Sequence, residues 1–332
     1  MDITDFTAEL LAFGEPTHFE PAFARVRNEL FVRLTAHGFR AIALETDRVA
    51  ALDGGFSHGF GEVPANRQLL EWLSEYNETA DEPLAFHGFD APTEMFSAPS
   101  PRHYLEHVRD YLGLDVDVPA GDDERWSRAE AILDPAASPG ATPEARELRI
   151  LADDLLTALH AEAPRLIATT SRAAWDRARI HATAGLDLLR YHAASAVPGD
   201  RDTRIARLSR ARAVVMARNL LDIHAATPGR TLVFANNGHL RRTGAGAGAI
   251  VASLLGDRYA VIAGSLGRSE ALGLGEPAAD TYEGLLQRDT DGWRLTADVP
   301  PGRTRTDTRP EQGYFPLDAE MIGGVDAVLH VA

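Results

Sequence analysis

Residues 10–44 constrain the fold more than any other stretch of the chain. Leu10-Leu-Ala-Phe13 is a short apolar run that stops at Gly14, the pattern of a buried strand. Residues 20–37 then place Phe23, Val26, Leu30 and Leu34 at steps of 3, 4 and 4, which line one face of a helix. Pro21 suits the first turn of that helix and Gly38 its end. Phe39 to Leu44 is a second buried strand. Strand, helix and strand within about 35 residues make a βαβ unit, whose crossover requires neighbouring parallel strands. The predicted class is therefore α/β, with a mostly parallel central sheet flanked by helices.

The remainder extends this reading. Pro64 to Tyr76 is a helix carrying Leu69, Leu70, Trp72 and Leu73, and Leu84 to Phe89 is a third strand. From about Pro99 to Ala226 strand signals vanish, and helices are expected at 101–112, 123–133, 143–160, 164–195 and 201–226. The Pro, Ala, Ser, Gly and Thr residues of 135–143 separate the second of these from the third. Strands return at 230–235, 259–263 and 326–331, with a helix at 249–255. No repeat occurs at periods of 20–50 residues. The expected organisation is one α/β domain over 1–332, with a long helical insertion at 99–228 forming one wall of an active-site cleft.

Composition narrows the chemistry. The 332 residues include no cysteine and no lysine, which excludes disulfides, thiolate nucleophiles, cysteine-held zinc, Schiff bases and P-loop chemistry. The net charge of −16 disfavours nucleic acid and anionic membranes as partners. No apolar run approaches the roughly 20 residues of a membrane span, and the start lacks a secretory pattern, so a cytoplasmic location is expected.

In open α/β sheets, ligands bind beyond the carboxyl ends of the strands. The polar residues there are Gly14-Glu15-Pro16-Thr17-His18, then Glu45-Thr46-Asp47-Arg48, then Gly88 and Asp90, and then Asn236-Asn237-Gly238-His239. Carboxylates and imidazoles meeting on one rim suit acid–base catalysis or metal ligation. Each has a structural reading as well. Thr17 with Glu20 fits a capping box, and a single glutamate or histidine at a strand end often serves only as a cap or an ion-pair mate.

Taken together these residues resemble the erythromycin esterases. That family carries a Gly-Glu-x-Ser/Thr-His stretch after its first core strand, a glutamate after the next, and a short histidine-ended stretch after a late strand. Here the matching residues are Gly14 to His18, Glu45, and Asn237-Gly238-His239. Tyr76-Asn77, Gly88-Phe89-Asp90, and Arg212, Met216, Ala217 and Asn219 are similar to further family positions. The resemblance implies hydrolysis of an ester or lactone of a small molecule without metal or cofactor. His18 would be the general base on water and Glu45 its orienting carboxylate. Glu15 would position water or substrate, and His239 would polarise or protonate. Thr17, Arg48, Asp90, Asn236 and Asn237 would contact substrate, with Arg48 or His239 facing the oxyanion. Asn236 and Phe19 stand where the family commonly has histidine and glycine, and Ala213 where it often has aspartate. These differences mark a divergent member with an ester or lactone of its own.

Alternatives share the same residues. They are a non-hydrolytic acid–base enzyme of cyclisation or elimination, an inactive ligand-binding homologue, and a metal-dependent hydrolase holding zinc or manganese on Glu15, His18, Glu45 and His239. His103-Tyr-Leu-Glu-His107 matches a zinc motif, although a polar helix face explains it equally. The glycines of 244–249 read as a turn rather than a phosphate loop, the arginines of 201–218 as a solvated or ion-paired face, and Trp126 and Trp175 as core.

Overall fold

The computed structural model describes residues 1–94, 96–288 and 290–332. The first βαβ unit is present: β1 (Leu10–Glu15), α1 (Pro21–Thr35) and β2 (Phe39–Asp47), followed by α2 (Pro64–Asn77) and β3 (Ala85–Asp90). A stretch without strands among the described residues then carries α3 (Arg102–Leu112), α4 (Glu124–Ser127), α5 (Glu130–Leu133), α6 (Pro143–Ala161), α7 (Ala163–Thr169), α8 (Arg172–Ser195) and α9 (Arg201–Ala226). The chain ends with β4 (Arg230–Asn236), α10 (Asn237–Leu240), α11 (Ala247–Leu255), β5 (Tyr259–Leu266), α12 (Tyr282–Gln287), β6 (Trp293–Thr296), α13 (Ala319–Ile322) and β7 (Ala327–Val331).

The strands form one seven-stranded sheet in the order β3-β2-β4-β1-β5-β7-β6. β1 pairs in parallel with both β4 and β5, β2 with β4, and β5 with β7, while β6 closes the edge antiparallel to β7. Leu10 to Phe13 are wholly buried, as expected for a parallel strand covered on both faces. Two compact units divide the chain: Met1–Glu45 with Gly59–His87 and Ala217–Ala332, and Thr46–His58 with Gly88–Met216. The second has its own core, in which Leu105, Leu148, Leu155, Ala178 and Leu189 pack with Trp126 and Trp175. Both indoles are core residues, as expected, and their N–H groups donate to Ala120 and Leu159 carbonyls at 2.8 and 2.9 Å.

Four local expectations need correction. The helix expected at 123–133 is two short helices, α4 and α5, broken at Arg128 and Ala129. The strands run further than their apolar cores: Glu15, Glu45 and Asn236 are strand residues, because the ladder continues through the Glu15–Asn236 pair. The helix expected at 164–195 is two helices. Thr169, Thr170 and Ser171 interrupt it, since the threonine hydroxyls donate back to Arg165 and Leu166 carbonyls and Ser171 caps α8 at Ala174 N–H. Thr17 does not cap α1. That role falls to Glu20, whose carboxylate accepts the Ala22 N–H at 3.0 Å. Gly246, just before α11, and Gly248, in its first turn, permit close backbone approach, because a Cβ there would meet the Gly238 or the Leu240 carbonyl oxygen. On α9, Arg204 and Arg207 donate to carbonyls of Ile132, Leu133 and Val197.

One side chain joins the late strands beneath the carboxyl rim. Buried Asn237 donates to the Gly264 carbonyl at 2.8 Å and accepts the Gly264 N–H at 2.9 Å. Its amide leaves room only for glycine opposite, because a Cβ at Gly14 would meet Asn237 Oδ1 at 2.2 Å. Asn237→Ala orphans two buried main-chain groups, each worth about 1–3 kcal/mol. The expected loss of stability is about 2–6 kcal/mol, measurable by urea unfolding with an unchanged m-value.

Candidate active site

The site is built on the ends of β1, β4 and β2, three neighbouring strands. β1 finishes at Glu15, and the Pro16-Thr17 turn returns the chain so that His18 lies over the carboxylate three residues earlier. Thr17 is fully buried and its hydroxyl accepts the Phe19 N–H, which fixes the turn. His18 Nδ1 is 2.7 Å from Glu15 Oε1. A carboxylate only accepts, so the bond places the imidazole proton on Nδ1 and makes Nε2 the acceptor nitrogen.

Glu45 arrives from β2. Its Oε2 accepts the Asn236 main-chain N–H at 2.8 Å. Its Oε1 lies 3.3 Å from His239 Nε2 and 3.9 Å from His18 Nε2, so one buried carboxylate faces both imidazoles. His239 is presented by α10, which Asn236 caps through its side chain to the Gly238 N–H. Both glutamates are buried, whereas the His18 and His239 side chains keep 31% and 28% exposure. The imidazoles are thus open to a ligand while the carboxylates are shielded. Glu15, which is nearest in sequence, bonds His18 Nδ1, while Glu45, expected to orient the ring, faces Nε2 at 3.9 Å.

Burial raises the Glu15 pKa above the ordinary glutamate value, with the His18 hydrogen bond and charge acting in the opposite sense. A cation lies nearby. Arg27 of α1 is almost completely buried and donates to Asn28 and Asn66 side-chain carbonyls at 2.7–3.0 Å, with its guanidinium 4.9 Å from the Phe234 ring centroid. Burial lowers its pKa to about 10, opposed by Glu15, so it remains charged at neutral pH. Sequence reading missed this residue. Its signal was position: Arg27 falls on the stripe of Phe23, Leu30 and Leu34, where a charge is costly without partners. A small, partly open pocket is lined by Glu15, His18, Arg27, Glu45, Phe60 and Phe234 among others.

The structure therefore brings together Glu15, His18, Glu45, His239 and the main chain of Asn236. It does not bring Thr17 or Asn237 to a ligand, because their polar atoms are engaged with main-chain groups. Arg48 and Asp90 belong to the second unit. There the Asp90 carboxylate accepts from Arg212 Nε at 2.8 Å and lies 3.0 Å from His58 Nε2, while His58 Nδ1 is 2.8 Å from Glu94. The Arg48 N–H donates to the Asp90 carbonyl. His58 has φ of 56°, the one non-glycine residue at positive φ among those described. Neither its charge network nor its backbone was foreseen.

No three His, Asp or Glu side chains among the described residues are grouped to hold a metal ion, so the four-residue metal alternative gains no support. In the zinc-like motif, His107 stacks on His181 with ring centroids 3.8 Å apart, and His103 packs on Tyr104. No helix among the described residues is long and apolar enough to cross a membrane.

The erythromycin esterase family model matches residues 34–327, beginning beyond the Glu15–His18 stretch. No curated protein matches in sequence. Among solved structures, a Bacillus cereus protein is similar with a TM-score of 0.70 at 15% identity, covering 99% of this chain and 89% of that one. A succinoglycan biosynthesis protein gives 0.67 at 16%, covering 98% and 87%. The erythromycin esterase EreC, as a histidine-to-asparagine mutant in its open conformation, gives 0.63 at 17%, covering 98% and 90%. At these identities the three support the fold.

The acidic cluster of the second unit has a measurable consequence. Burial raises the Asp47 pKa from 3.8 to about 6, with Asp90 adding to the shift and the Val49 and Ala50 N–H groups opposing it. A raised carboxyl favours folding while neutral, so its contribution is lost as pH rises from about 4 through about 6. Asp47→Asn keeps an acceptor for the Val49 N–H and removes that charge. It is expected to raise Tm by a few degrees at pH 7.5 and by little at pH 4, checked by calorimetry at both values.

Proposed function

The chain belongs to the erythromycin esterase family, and from that premise we propose that it hydrolyses an ester or lactone of a small molecule with His18 as general base. Family membership supports a hydrolase acting on a small molecule. The observation that carries the finer reading is the 2.7 Å bond from His18 Nδ1 to Glu15, which turns Nε2 toward Glu45 beside the cavity.

In this mechanism His18 Nε2 takes a proton from water, and the water oxygen attacks the carbonyl carbon to form a tetrahedral oxyanion. The imidazolium is stabilised by Glu15 at Nδ1 and by Glu45 near Nε2, the role an aspartate plays in a triad. His239, which shares Glu45, donates a hydrogen bond to the oxyanion, and the His18 imidazolium returns its proton to the departing alkoxide as the C–O bond breaks. The nearby charge of Arg27 opposes the rise in the Glu15 pKa that burial causes. General-base help of this kind is worth about 10²–10⁴ in rate, and positioning and oxyanion stabilisation supply the rest.

A panel of alkyl esters and lactones tested in ¹⁸O-water should yield acids carrying one solvent oxygen. His18→Ala is expected to lose about 10²–10⁴ in kcat/KM while keeping its circular dichroism spectrum. Turnover at the native level in that variant would remove His18 from the mechanism. Products without the added water would favour the acid–base alternative instead. Glu15→Gln should retain the fold but lose about 10²-fold or more in kcat, because an amide cannot stabilise the imidazolium. The kcat/KM of the native protein should fall on acidification with unit slope, as the base becomes protonated.

A further inference from the structure

A hydrogen bond to one nitrogen does not by itself fix the plane of an imidazole, because the torsion that turns a histidine ring has broad wells. The 2.7 Å bond from His18 Nδ1 to Glu15 is such a bond. Work by Nε2 needs the plane held as well, since a small misplacement of a reacting group is costly in rate. Phe60 is placed to hold it. Its ring centroid lies 5.0 Å from that of His18 at an interplanar angle of 53°, within the range of packed aromatic pairs. Phe60 is half-buried and lines the same pocket as Glu15, His18 and Glu45.

Phe60 opens a short 3₁₀ turn, Phe60–Glu62, just ahead of α2. Its main chain is held by Asn66, in the first turn of that helix. Asn66 Nδ2 donates to the Phe60 carbonyl at 2.9 Å, and Asn66 Oδ1 accepts from Arg27 Nη1 at 2.8 Å. The two ends of the amide cannot exchange, because an oxygen would then face the carbonyl and an N–H the guanidinium. Asparagine is a weak helix former and is mostly exposed in proteins, whereas Asn66 is 5% exposed with both ends engaged. It is there for its contacts. A second bond ties α1 to the same turn of α2, from Asn28 Nδ2 to the Ala65 carbonyl at 2.7 Å. One amide therefore fixes both the ring beside His18 and the buried guanidinium whose charge acts on Glu15.

We propose that Phe60 is a positioning residue for the His18 imidazole, and that Asn66 sets its place by joining the Phe60 carbonyl to buried Arg27. The inference rests on the hydrolase reading above and adds two residues outside its acid–base set. No proton passes through either. The Phe60 ring packs against the imidazole, so that Glu15 fixes Nδ1, Phe60 fixes the plane, and Nε2 stays turned toward Glu45. Asn66 acts through Phe60: without its amide the turn at 60–62 loses the bond that joins it to Arg27 of α1.

Nuclear magnetic resonance of histidine-labelled protein reads the ring directly, with His18→Asn identifying its signals. In the native protein the His18 ring C–H bonds should have order parameters in the rigid range, about 0.85, and Overhauser contacts to Phe60. Phe60→Ala should lower the order parameter below about 0.6. With 4-nitrophenyl acetate, counting only the rate above that of His18→Ala, it should reduce kcat about tenfold while KM changes less than about twofold. Phe60→Tyr should restore both readouts. Phe60→Leu, which keeps apolar bulk without a ring, replaces the alanine variant if that one loses its circular dichroism spectrum. Asn66→Asp keeps an acceptor for Arg27 but sets an oxygen against the Phe60 carbonyl, so it should weaken the Overhauser contact and lower kcat in the same sense. An unchanged order parameter in Phe60→Ala would overturn the positioning role. So would a loss carried by KM with kcat intact, the mark of a substrate contact. A native Overhauser contact in Asn66→Asp would overturn the tether. The spectra decide these points even if no ester is turned over, a result that would instead sink the hydrolase reading.

Discussion

Two buried carboxylates share a small space with two imidazoles, and the site depends on how those carboxylates are held. Glu15 is bonded to the imidazole of His18, and Glu45 to the Asn236 main-chain N–H and the edge of His239. Burying such charges without partners costs several kcal/mol each. Register supplies the partners. Glu15 stands opposite Asn236 on the neighbouring parallel strand, and β4 lies between β1 and β2. A slip of one residue would turn Glu15 to the other face of the sheet and dismantle the arrangement.

Rigidity beneath the rim keeps that geometry. The Asn237 amide spans to Gly264, and Gly14 carries no Cβ because the amide occupies its place. The Thr17 hydroxyl closes the turn that brings His18 back over Glu15. None of these groups needs to touch a substrate. Their polar atoms are used to hold main chain, which is why residues that look like ligand contacts by type serve as scaffolding here. Arg27 belongs to the same account: a buried guanidinium fixed by two asparagines lowers the electrostatic cost of Glu15.

The second unit holds a separate charge system of its own. Asp90 takes Arg212 on one side and His58 on another, with Glu94 on the far nitrogen of that imidazole. A histidine at positive φ is uncommon and persists where its surroundings over-determine it. Here the two carboxylates on its ring supply that constraint.

Periodicity alone determined the α/β class, the parallel character of the sheet around β1 and β2, and the helical stretch between β3 and β4, because apolar spacing reports which faces must be buried. Residue type and strand-end position picked out Glu15, His18, Glu45 and His239, since ligands meet the carboxyl ends of parallel strands. Other features were decided only by tertiary contact. Which glutamate orients His18, where Asn236 and Asn237 place their hydrogen bonds, and how Arg27 and His58 find partners all depend on contacts that form only in the folded chain. Local spacing carries no signal for those pairings. The strand ends, the break between α7 and α8, and the capping of α1 by Glu20 rather than Thr17 were likewise settled by which hydrogen bonds remained available after the sheet had formed.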